Sequence, residues 1–164
     1  MNRPIKLLFD ECLTGPVVEQ LCKLLAYSKR IVEHKLLPDI VKRGTTDDEW
    51  VPKIKDDGFI VVTGDSGRIG GTKGTKLPFV CQRYSVTYVM LSGSIQQKSG
   101  FEKARAFMAV WEEVCELYDK PPGSGWLIKM VGERSYRLVK KELPAPKPRK
   151  PRPDVSSTEP QPPA

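Results

Sequence analysis

A single histidine, His34, and four dispersed cysteines are all that the 164 residues offer as imidazole or thiolate ligands for a metal. Cys12, Cys22, Cys81 and Cys115 form no C-x-x-C pair, which argues against a structural zinc site, since such sites need clustered thiolates or imidazoles. His34 has no evident partner for acid–base chemistry. No apolar run approaches the roughly 20 residues of a membrane span, and the N-terminus lacks the apolar core and cleavage site of a secretory signal. A reduced, cytoplasmic compartment with no membrane partner is therefore expected. Phosphate-cradling signatures are missing too: neither Gly-x-x-x-x-Gly-Lys-Ser/Thr nor Gly-x-Gly-x-x-Gly occurs, which disfavours a nucleotide-binding fold.

Positive charge is what the chain has in excess. Lys and Arg number 27 against 20 Asp and Glu, a net charge of +7 and a pI near 9.3. Such a surface favours polyanions without choosing among RNA, DNA and acidic proteins. The length suits one domain with its own core. Residues 1–143 read as that domain. From Pro144 to Ala164 the chain is dense in proline, with Lys147, Arg149, Lys150 and Arg152 interleaved and almost no large apolar side chain. It reads as a disordered basic tail, because it has too little apolar surface to offset the entropy of ordering.

Within 1–143, apolar runs and helical periods alternate. Ile5–Phe9 reads as a buried strand running into Asp10. A helix follows, with Pro16 in its first turn and Val17, Val18, Leu21, Leu24 and Leu25 on one face. Ile31–His34 is a second strand. Thr46-Asp47-Asp48-Glu49 has the Thr-x-x-Glu form of a capping box and opens a helix ending at Gly58, with Pro52 inside it. Phe59–Thr63 is a continuous apolar strand of the kind buried on both faces of a parallel sheet. A short helix is expected around Leu77–Tyr84 and a strand at Thr87–Leu91. A second capping box at Ser99–Glu102 opens what should be the longest helix, with Phe101, Ala104, Phe107, Met108, Trp111, Val114, Cys115 and Tyr118 on one face. Trp126–Val131 and Ser135–Val139 flank a hairpin turn. The order predicts an α/β fold: a mostly parallel central sheet with helices on both faces and an antiparallel ending.

Asp10 and Asp65 each follow a buried strand, and ligands of open α/β sheets bind in the crevice beyond the carboxyl ends of the strands. Asp47, Asp48 and Glu49 open a helix that leads back into a parallel strand, so they start on the same side. Clustered carboxylates repel unless cations neutralise them, and oxygen ligands suit Mg²⁺ or Mn²⁺. Each site also has a plainer reading: acids in a first turn complement the helix dipole, Asp10 can cap the next helix, Asp65 sits in ordinary turn composition, and Glu11 reads as solvated. Trp50, Trp111 and Trp126 read as core residues rather than base-stacking platforms. Cys12 reads as a packed thiol.

Three blocks carry a resemblance: Leu7-Leu8-Phe9-Asp10-Glu11-Cys12-Leu13, Thr45-Thr46-Asp47-Asp48-Glu49-Trp50-Val51-Pro52 and Ile60-Val61-Val62-Thr63-Gly64-Asp65. In this order and spacing they resemble the PIN-like domains of VapC-type toxins. The resemblance implies a three-layer PIN-like fold and a Mg²⁺- or Mn²⁺-dependent endoribonuclease, often the toxin of a toxin–antitoxin pair and commonly a homodimer. Carried over by motif, Asp10, Asp47 and Asp65 are metal ligands and Asp48 a fourth catalytic candidate. The sequence departs from that pattern at Gly64, where an Arg commonly precedes the third Asp, and in having no clear counterpart of the fourth acid. Some members have lost catalysis, so the alternative is an inactive module that binds nucleic acid or protein. Arg68, Lys73 and Lys76, in the loop after Asp65, are the expected contacts to an RNA backbone.

Overall fold

The computed structural model describes residues 4–13, 15–64 and 76–142. Asp65, Arg68, Lys73 and the segment 144–164 lie outside the described residues.

The apolar runs at Ile5–Phe9 and Phe59–Thr63 form strands β1 and β3 with the expected bounds. Both are buried on two faces, and side chains of successive residues point to opposite sides of a strand, so each run feeds two cores. Leu7, Phe9, Ile60 and Val62 pack on one side with Val89 and Leu91; Leu8, Phe59 and Val61 pack on the other with Tyr88 and Met90. Strands β2 (Val32–Leu36), β4 (Tyr88–Leu91), β5 (Gly125–Met130) and β6 (Tyr136–Lys140) complete a six-stranded sheet of order β2-β1-β3-β4-β5-β6. All pairings are parallel except the β5–β6 hairpin.

The first core is closed by helices α1 (Gly15–Ala26), α6 (Gly100–Ala109) and α7 (Trp111–Glu116). The second is closed by α3 (Asp47–Ile54) and α4 (Leu77–Arg83). The result is three layers, helices on both faces of a mostly parallel sheet. Two one-turn helices, α2 (Leu37–Ile40) and α5 (Gly93–Gln96), sit in connections and are too short to leave a periodic signal.

The structure corrects some local expectations. The helix opened by Ser99 is not one long element: the backbone leaves helical geometry at Val110 (φ −113°, ψ 17°), and α1, at 12 residues, is the longest. Leu24, Phe101 and Met108, placed on buried faces by period, are exposed. The helix opened by Thr46 stops at Ile54, and the turn residues after it end at Gly58 with φ +75°. The edge strands β2 and β6 carry Glu33, His34, Lys35, Arg137 and Lys140 outward to solvent. Among the described residues, no helix is long and apolar enough to cross a membrane.

Candidate active site at the carboxyl ends of the strands

The chain runs from β1 outward to β2, then returns across β1 to β3, so the direction of winding reverses between β1 and β3. Open α/β sheets bind ligands at such a reversal. An open cleft of about 460 Å³ lies there, lined by Asp10, Glu11, Asp47, Trp50, Leu77 and the loop after α2. Asp10 reaches it from the end of β1 and Asp47 from the first turn of α3, so two of the three carboxylate blocks converge in space.

Asp10 is held on both oxygens. The Cys12 amide donates to Oδ1 at 2.8 Å, and the Thr63 hydroxyl donates to Oδ2. The Gly64 amide adds a further bond, which ties the end of β3 to the carboxylate. Burial nevertheless pushes the Asp10 carboxyl above the ordinary range, and these hydrogen bonds only partly offset it. Asp47 is oriented by its own helix: the Trp50 indole N–H donates to Oδ1 at 3.0 Å across three residues, the spacing at which helical side chains share a face. Trp50 is itself a core residue, 1% exposed. The two carboxylates meet electrostatically at one buried thiol. Cys81 is pushed up first by burial and then by the charges of Asp47 and Asp10.

Asp48 is not among the residues lining the cleft; it pairs with Arg83 of α4 at 2.8 Å. Neighbouring residues on a helix point about 100° apart, and here Asp47 turns to the cleft while Asp48 turns to Arg83. Glu49 completes the capping box instead, accepting from the Thr46 amide at 2.8 Å and its hydroxyl at 2.9 Å. Those bonds hold its carboxyl below the ordinary range. Glu11 is exposed, as read, yet lines the cleft. Lys76 precedes α4 and does not line the cleft.

Sequence reading passed over Lys42 and Arg43, which line the cleft from an irregular turn. Lys42 O accepts from both the amide and the hydroxyl of Thr45, at 3.1 and 2.7 Å, and Gly44 takes φ +87°. Thr63 was also missed. Its signal was a hydroxyl at the end of an otherwise apolar buried strand, and such a group needs a partner. Gly64 has a steric reason: a Cβ there would stand 2.9 Å from Cys12 Cβ and 3.3 Å from the Gln96 amide. An arginine does not fit that backbone position while Cys12 packs against it, which accounts for the departure from the family pattern.

The donor chemistry fits a hard divalent cation, since the cleft offers carboxylate oxygens and a buried, charge-strained aspartate. The described residues contain no group of three or more acids, His or Cys arranged to hold a metal. Asp65, the residue after Gly64, lies outside them. Residues 5–70, from β1 past the end of β3, match the family model described as a PIN like domain. That match and the three-layer sheet support a PIN-like domain. No curated protein and no solved structure matches the chain.

Proposed function

We propose that the chain is a metal-dependent endoribonuclease, with Asp10, Asp47 and Asp65 as the ligands of Mg²⁺ or Mn²⁺. The observation that carries this reading is the convergence of Asp10 and Asp47 in one cleft at the winding reversal. PIN-like domains are in general divalent-metal nucleases, which supports it further. A divalent cation held there supplies charge to activate a water and to stabilise the leaving oxygen of a phosphodiester. Thr63, Cys12 and Gly64 fix the Asp10 carboxylate, and Trp50 fixes that of Asp47, so the donor oxygens are placed before a cation arrives. Lys42 and Arg43, in no ion pair among the described residues, are placed to hold the substrate backbone beside the acids. The role of toxin, with an antitoxin as partner, rests on the resemblance of the three acidic blocks.

The test is cleavage of end-labelled RNA and of DNA of the same sequence, with Mn²⁺ or EDTA. RNA cut only with metal, and not by Asp10→Asn, is the expected result. RNA cut by Asp10→Asn at the parental rate ends the assignment. If the folded parent cuts neither nucleic acid with Mn²⁺, the domain is an inactive binding module.

A further inference from the structure

A second cleft, of about 620 Å³, opens at the other end of the sheet. The sheet is parallel from β1 to β5, and this cleft surrounds Gly125 and Trp126 at the start of β5, so it is remote from Asp10. Its charge is cationic: Lys120, Lys140 and Lys141 line it, against one acid, Glu142. None of the three lysines is in an ion pair among the described residues. Lys140 stands directly opposite Trp126 in the β5–β6 register, and the Lys141 amide donates to Gly125 O at 2.8 Å. Lys140 and Lys141 are thus set by the hairpin, and Lys120 comes from the connection that leads into β5.

Trp126 is half-buried, and its indole N–H donates to Ser124 Oγ at 2.8 Å, which fixes the plane of the ring. The Lys120 ammonium, on an exposed and flexible side chain, sits 4.5 Å from the ring centroid. A half-buried ring held at its edge, with one ammonium over it and two more lysines lining the same cleft, is an arrangement that can stack a nucleobase while neutralising the adjoining phosphates. The cleft volume lies in the range of small-ligand sites. Beyond Glu142 the sequence goes on to Lys147, Arg149, Lys150 and Arg152, so positive charge continues along the chain.

We propose that this cleft binds single-stranded nucleic acid, one base stacking on Trp126 in place of Lys120 and the flanking phosphates meeting Lys140 and Lys141. Such a site tolerates any sequence, because every base has a π-face. It does not depend on catalysis at the acidic cleft and works without metal.

The experiment uses the full chain in EDTA with an oligo(A) RNA eight nucleotides long. Indole fluorescence should be quenched on binding. Trp126→Phe should abolish most of the quench, and Trp126→Ala should weaken affinity by about 5- to 150-fold, the range of one lost stack. Lys140→Gln with Lys141→Gln should lower the slope of log affinity against log salt by about 1.4, at roughly 0.7 per phosphate contact on a single strand. Quenching retained in Trp126→Phe, or a salt slope unchanged in the double lysine variant, overturns the proposal. So does inorganic polyphosphate competing as well as oligo(A), since charge alone would then explain binding. Should the Trp126 variants unfold, the surface lysine pair decides. Binding in EDTA with no cleavage once Mn²⁺ is supplied leaves this inference standing and the nuclease reading overturned; cleavage with Mn²⁺ but without these binding effects does the reverse.

Discussion

The clefts at the two ends of the sheet differ in what they ask of the fold. At one end a carboxylate is sunk beside the termini of β1 and β3 and held by hydrogen bonds from Thr63, Cys12 and Gly64. Its charge is costly there, because hydrogen bonds do not fully replace lost water. At the other end lysines stand in solvent on a hairpin and add little strain. Burial that opposes a carboxylate's charge is offset when a cation binds it, and this is why the acidic end is read as the reactive one.

Asp10→Asn breaks that contrast most severely. It keeps the shape, with the amide oxygen accepting from Cys12 and the amide nitrogen donating to Thr63. Cleavage should fall by more than the roughly 100-fold typical of losing an outer-shell partner. Stability should move the other way. With metal chelated, the raised folded-state pKa of Asp10 means that its burial carries no penalty below the ordinary value of 3.8 and a full penalty above the folded value. The variant should therefore melt higher than the parent at neutral pH, and the gain should vanish as pH falls through that window. Urea denaturation at neutral and acid pH measures both limits.

Thr63→Val removes a donor from a buried carboxylate, and hydrogen bonds to charged groups are worth about 1.5–3 kcal/mol. A loss of that size, seen in the urea midpoint, is expected, together with weaker Mn²⁺ affinity. Gly64→Ala puts a methyl against Cys12 Cβ and should cost about 1–3 kcal/mol, as overpacking does. The double variant with Cys12→Gly should recover part of the loss. Arg83→Gln should change stability by less than about 0.5 kcal/mol, since its pair with Asp48 is solvent-exposed. Asp48→Asn should likewise leave cleavage within about twofold, a surface effect of the same order. Loss of cleavage in that variant would return Asp48 to the site.

Strands β1 and β3 were legible with their bounds because a fully buried parallel strand is a continuous apolar run stopped by a polar or glycine residue. The start of α3 was legible because the capping box is local. The break at Val110 was not, because nothing in the period of apolar residues marks it. Motif favoured Asp47 over Asp48 as a ligand, but that Asp48 turns to Arg83 depends on how far α3 is rotated against the sheet, which no local pattern encodes. Lys42 and Arg43 belong to an irregular turn, and only the winding of the chain brings them over Asp10, which lies far away in sequence. The convergence of Asp10 and Asp47 followed from a general rule about strand ends; the hydrogen bonds that make Asp10 unusual did not.

Strands β2 and β6 bound the sheet, and each turns charged side chains outward along its open margin. Another strand added to either edge would have to strip the hydration of these charges, so growth by strand addition is opposed. Charge on both edge strands therefore guards the sheet against fibril-like stacking, while the cleft at the carboxyl ends of the strands stays open.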